Sequence, residues 1–225
     1  AAGCRVVGSE SDPVTSFVSR LLGVTGIAPV LDGNGHGTHV AGIAAGRGQI
    51  SIGAFEGVAD NAPIVSVRVL DEDGRGSASA VIAAMDWLVT NGHDHDVRVI
   101  NLSLGRGVYE SADTDPLVRA VEAAWDAGFV VVVSAGNVCR AGPFTVTAPG
   151  NSRRVITVGS LTDQGTTGLA DDRVSTYSSR GPTLIDHVVK PDLVAPGNRI
   201  VASAAPGSHL SGLLGGERIC YGVCS

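Results

Sequence analysis

No run of basic residues occurs in this chain, and its 16 Lys and Arg are outnumbered by 22 Asp and Glu, for a net charge of −6. Nucleic acid and anionic membrane surfaces therefore find no electrostatic footprint here. Long apolar runs are missing too. A run such as Phe129 to Val133 is far short of the roughly 20 residues a membrane-spanning helix needs, and its β-branched content reads as a buried strand. Cysteine is sparse. Cys4, Cys139, Cys220 and Cys224 are too few and too irregular for a disulfide-built scaffold, and their spacing fits no zinc site. Reduced thiols and a couple of bridges both stay open. Ala1 to Cys4 offer no initiator Met, basic n-region or apolar h-region, so a signal peptide is expected only upstream of Ala1. No Gly-x-Gly-x-x-Gly follows the first clear strand and no Walker loop occurs, which argues against a nucleotide-binding domain.

What is present is enough apolar material for a core: 44% apolar and 17% charged residues over 225 positions, without repeat, linker or low-complexity block. From Pro63 onward strand-like runs alternate with helix-period segments, the pattern of βαβ units in a parallel sheet with helices on both faces. Strands are expected at Ile64 to Leu70, Val97 to Ser103, Phe129 to Ser134, Arg154 to Gly159 and Arg199 to Ser203. Ser77 or Ser79 caps a helix carrying Val81, Ile82, Met85, Leu88 and Val89, which Asn91-Gly92 stops by tolerating the left-handed conformation. Asp115-Pro116 opens another, carrying Leu117, Val121, Ala124 and Trp125 until Gly128 ends it. Ser160 to Asp172 and Ala204 to Gly216 read as polar, Gly-rich loops. Right-handed crossovers then put strand carboxyl ends, where sites gather in open α/β sheets, near Ser103 and Ser134.

The most informative stretch is Asp32-Gly33-Asn34-Gly35-His36-Gly37-Thr38-His39-Val40-Ala41-Gly42. It sets an imidazole between a glycine-rich approach and a small-residue helix over Thr38 to Gly46. Imidazole can take a proton from a hydroxyl at neutral pH and return it to a leaving amine. Two further segments end strands: Asn101-Leu102-Ser103-Leu104-Gly105, and Ser134-Ala135-Gly136-Asn137 directly after the buried run.

Together these segments resemble the subtilisin-like serine proteases, and the resemblance extends through most of the chain, to about Cys224. It implies a doubly wound, mostly parallel α/β sheet forming a single peptidase domain, incomplete at both ends. It implies His36 as general acid/base, with His39 in a packing role, and Asn137 as a side-chain donor to the tetrahedral oxyanion. Ser103, Leu104 and Gly105, with Ala135 and Gly136, would pair with an extended peptide and line its primary pocket. Gly57-Val58-Ala59, Ser178-Ser179-Arg180-Gly181-Pro182 and Lys190 to Gly197 match as scaffold, Asp192 being a turn-stabilising carboxylate.

Two of the family's motifs are absent from the 225 residues: the Asp-Ser/Thr-Gly that should precede His36 and the Gly-Thr-Ser-Met-Ala that should close the site. Asp12 and Asp32 lack the context of the first, and Ser208, Ser211 and Ser225 that of the second. The simplest expectation is the central fragment of a secreted or cell-envelope serine endopeptidase, inactive alone and a monomer when complete. A degenerate peptide-binding module and a domain completed by another chain are the alternatives. Peptides or proteins are the expected partners. Calcium on surface loops is the one cofactor the resemblance suggests, but no loop shows a ligand pattern and metal sites stay unassigned.

Overall fold

The computed structural model describes residues 32–49, 51–138 and 141–213. The four cysteines, Val6-Val7-Gly8 and Asp12 lie outside them. The described residues cluster into two compact units: Val81–Ile200, and the remainder drawn from residues 1–80 and 201–225.

The larger unit is built on a five-stranded sheet. Strands β1 (Val99–Leu102), β2 (Val130–Ser134), β3 (Ile156–Thr162) and β5 (Leu193–Pro196) run parallel, in the order β1-β2-β3-β5, and the two-residue β4 (Arg173–Val174) pairs antiparallel with β3. The mostly parallel α/β architecture expected from the sequence is present. The register Leu102↔Val133 and Val133↔Thr157 puts alternate residues on one face: Ile100, Leu102, Val131, Val133 and Thr157 are all buried there. Each fully buried valine contributes about 1.5–3 kcal/mol relative to exposure. The opposite alternation leaves Val99, Val130 and Leu193 exposed.

Helix α2 (Ala78–Asn91) starts where Ser77 accepts the Ala80 N–H at 3.1 Å, so Ser77 is the cap. It ends at Asn91 as expected, but by another device. The chain passes into a 3₁₀ turn, Gly92–His95, and the left-handed residue is Asp96 (φ 56°). Gly92 is small for a packing reason: a Cβ there would stand 2.9 Å from the Phe129 ring. Helix α3 (Pro116–Asp126) buries Leu117, Val118, Val121 and Ala124 and packs on β2. Its cap Asp115 accepts from Leu117 N at 2.9 Å and, fully buried, is held by both its oxygens to Arg106 Nη2 at 2.7 and 2.8 Å.

Two expected strands are corrected. Ile64 forms only a single bridge and Val65 to Val69 carry no regular element, so the β-branched run has strand composition without a ladder. Arg199 to Ser203 is not a strand either, because Arg199 sits at φ 55°, outside the extended region; Leu193–Pro196 pairs with β3 instead. Two expected loops are shortened, by β3 running on to Thr162 and by helix α4 (His209–Leu213).

In the smaller unit, helix α1 (His36–Ala45) is closed at its C-terminal end by the Gly57-Val58-Ala59 segment. The N–H groups of these three residues donate to Gly46 O, Ile43 O and Ala44 O at 2.7–3.1 Å, satisfying carbonyls that a helix end leaves open. A Cβ on Gly57 would come within 2.4 Å of Gly46 N, so only glycine allows this approach.

Removing Arg106 strands a buried carboxylate at the start of α3. Arg106→Ala is expected to cost about 3 kcal/mol, read as a lowered urea midpoint at unchanged slope.

Candidate functional site

His36 is the first residue of α1, and its backbone is fixed from several directions. Gly35, the N-cap, is left-handed (φ 97°) and has no side chain to cap with. Asp32 does that work from three residues upstream: Oδ1 accepts from Gly35 N at 2.7 Å, and Oδ2 from Thr38 N at 2.7 Å and Thr38 Oγ1 at 2.8 Å. Burial pushes the Asp32 carboxyl upward, but these bonds outweigh it and hold it below the usual carboxylate range. Asp32 is thus committed to the helix start, in keeping with its rejection as a partner for the imidazole. The first two residues of α4 also tie the approach loop, His209 N donating to Gly33 O at 2.8 Å and Leu210 N to Asn34 O at 2.9 Å.

The His36 ring is exposed and makes no hydrogen bond among the described residues. His39, one turn on, is half-buried. Desolvation first, and then the neighbouring His36, push its basicity below the ordinary imidazole value. The two histidines of the motif therefore differ physically: one presented to solvent, one held toward its neutral form.

The other candidates lie in the larger unit, where β1 and β2 end together. Because Leu102 pairs with Val133, Ser103-Leu104-Gly105 and Ala135-Gly136-Asn137 leave the sheet side by side, with Ser134 Oγ donating to Leu104 O at 3.4 Å. Thr147 fills the space beside both. Its N–H and Oγ1 donate to Ala135 O at 3.0 and 3.2 Å, and its side chain stands 2.5 Å from where a Gly105 Cβ would be and 2.8 Å from that of Gly136. Arg106 and Ala148 exchange two backbone bonds of 2.9 Å, adding a third segment to the cluster. Ala135 is buried, Ser103 and Leu104 are half-buried, and Gly105 and Asn137 are exposed. The Asn137 carboxamide makes no hydrogen bond among the described residues, while the backbone on both its sides is tied to Ser179. A small-residue strand end that presents one free amide donor is suited to stabilising a developing negative charge.

The structure thus brings Ser103, Leu104, Gly105, Ala135, Gly136 and Asn137 together in one unit, with His36 in the other. Thr147 was missed by sequence reasoning, and Ser179 was read there only as scaffold; the signal available for Thr147 was that Gly105 and Gly136 are both glycines just beyond strand ends. Asp192 is a brace, as expected. It accepts from Thr157 N at 2.7 Å and from the buried Lys190 ammonium at 2.6 Å, and Lys190 also donates to Val155 O at 2.8 Å. Burial raises the Asp192 carboxyl, but Lys190 and the Thr157 amide bring it below its ordinary value. Among the described residues no group of His, Cys, Asp and Glu is placed to hold a metal ion.

Residues 16–219 match the family model described as the subtilase family, Peptidase_S8. Serine protease AprX of Bacillus subtilis (strain 168) is 41% identical over 195 residues, which cover 84% of this chain and 43% of AprX. Subtilisin-like protease 3 of Arthroderma benhamiae is 38% identical over 196 residues, covering 86% of this chain and 42% of that protein. The chain therefore spans less than half the length of these curated relatives. Among solved structures, S41 Psychrophilic Protease superposes with a TM-score of 0.65 at 30% identity, covering 80% of this chain and 57% of that one. Sphericase superposes with a TM-score of 0.68 at 26% identity, covering 89% and 71%.

Asp32→Ala is expected to cost about 1–2 kcal/mol and to speed amide exchange at Gly35 and Thr38, measured by hydrogen exchange. The depressed basicity of His39 gives a pH dependence of known sign. The unfolded chain, whose imidazole titrates near 6.5, takes up the proton first. Stability from neutral His39 is therefore complete above about pH 6.5 and is lost as the pH falls from there toward its folded pKa. Urea midpoints between pH 7.5 and 5 should fall less steeply in His39→Gln; an unchanged slope would contradict this origin.

Proposed function

The chain belongs to the subtilase family, and from that membership we propose that it is the central part of a serine endopeptidase that hydrolyses peptide bonds through an acyl-enzyme. In this reading His36 takes the proton from a serine hydroxyl and returns it to the leaving amine, and the Asn137 carboxamide donates to the oxyanion. Ser103-Leu104-Gly105 and Ala135-Gly136 hold the substrate as an extended strand. The nucleophilic serine and the carboxylate that orients His36 come from polypeptide flanking these residues, the whole forming a single peptidase domain that acts outside the cell or in its envelope.

The observation that carries this reading is the pairing of β1 with β2, which brings the segment after Ser134, with its unbonded Asn137 carboxamide, beside Ser103-Leu104-Gly105. The contrasting reading, a peptide-binding module of the same fold without catalysis, draws on one fact: neither Asp-Ser/Thr-Gly nor Gly-Thr-Ser occurs in the 225 residues.

A fluorophosphonate probe separates the two, since labelling requires an activated serine. The 225-residue chain is expected to show no labelling and no peptide hydrolysis, and the product extended on both sides is expected to label. In that product His36→Ala should abolish labelling, and Asn137→Ala should lower kcat by about 10²–10³, a factor established for an oxyanion donor within this family. Hydrolysis by the 225-residue chain itself, or a product extended through both flanks that never labels, would overturn the proposal.

A further inference from the structure

We infer that the buried hydroxyl of Ser179 sets the position of the Asn137 carboxamide, which makes Ser179 a positioning residue for the oxyanion donor; the inference rests on the role proposed for Asn137. Ser179 is 1% exposed and bonds to the residues on either side of Asn137. Its N–H donates to Gly136 O at 2.9 Å, and its Oγ accepts from Val138 N at 3.2 Å. The turn is also held by shape. Gly136 is left-handed (φ 106°), and a Cβ there would stand 2.9 Å from Ser179 Oγ and 2.8 Å from Thr147 Cγ2, so both side chains pack directly against this backbone and only glycine fits. With residues 136 and 138 pinned, the freedom left to the exposed asparagine is largely its own two side-chain torsions.

Ser179 can serve as an anchor because it is anchored itself. On one side Ser178 Oγ accepts from Ser160 N in β3 at 2.9 Å, and Ser175 N donates to Ser160 O at 2.9 Å. On the other, Arg180 N donates to Thr145 Oγ1, and Thr145 N to Arg180 O, both at 2.9 Å. The reference point for the Asn137 turn is thus the sheet. An anion donor is useful only when held within about half an ångström of its working position, and an exposed side chain on an unbraced loop would not be.

The test uses the 225-residue chain and needs no nucleophile. N-acetyl-tetra-alanine with a free C-terminal carboxylate presents an oxyanion-like group, and the same peptide ending in an amide does not. Affinities for both are measured by NMR titration of the Asn137 side-chain and Val138 backbone signals. The chain should prefer the carboxylate by about ten-fold, the worth of one hydrogen bond to a charged group. Ser179→Ala should lose that preference and Ser179→Thr, which keeps the hydroxyl, should restore it. Ser152→Ala, which removes a buried hydroxyl bonded to Glu122 and the Arg154 amide but touches no bond of Ser179, should keep it whatever it does to the melting temperature. If Ser179→Ala does not fold, Ser179→Cys, a weaker acceptor of similar size, takes its place. A preference lost in Asn137→Ala but intact in the folded position-179 variants overturns the role of Ser179 alone. No preference in the unaltered chain, or one that survives Asn137→Ala, overturns the reading of Asn137 beneath it.

Discussion

Parallel pairing of β1 with β2, Leu102 against Val133, is the constraint on which the larger unit's part of the site depends. Two strands in that register must end at the same edge of the sheet, so the segments that follow them emerge as neighbours without any loop having to arrange it. Burial enforces the register. Shifting β2 by one residue would turn Val131 and Val133 out of the core and bring Val130 and Val132 in, exchanging two fully buried side chains for two whose surroundings are not built to receive them. Thr147 then fills the gap between the emerging segments, which is possible because residues 105 and 136 are glycine. The site's geometry is in this sense a property of the sheet, passed outward through three short backbone contacts.

Carboxylates in the described residues act mainly as structural acceptors. Asp32 closes the start of α1, Asp115 closes the start of α3 and meets Arg106, and Asp192 meets Lys190 and the Thr157 amide. Asp186 follows the same pattern, accepting from Ser111 Oγ and Ala112 N; burial raises its carboxyl, and these bonds together with the nearby Arg153 and His187 more than reverse it. Each ties residues distant in sequence or closes a helix end. Asp32, the one of these in the His36 motif, is spent on the helix start.

Much of this was legible before any coordinates, and what was legible was local. Asp115-Pro116 announced α3 because a capping carboxylate and a fixed φ act within one turn, and the valine run 130–133 announced a strand through its β-branched content, although only Val131 and Val133 are buried and Val130 is exposed. The histidine motif and the segment carrying Asn137 stood out by their resemblance to the family's motifs. What escaped depended on partners. Residues 64–70 have the composition of a strand, but a strand exists only with a neighbour to bond, and composition does not supply one. Arg199 adopts a left-handed φ that no pattern at that position signals. Ser179 lies more than forty residues from Val138, whose amide it receives, so its serine-rich surroundings could be read only as scaffold.

The chain contains a single lysine, and its ammonium is sealed between Val155 O and Asp192. Acylating reagents directed at side-chain amines consequently have no accessible target while the larger unit stays folded. Modification of residue 190 records only molecules in which the β3–β5 corner has opened, so these 225 residues carry their own chemical counter of unfolding events, silent in the native state.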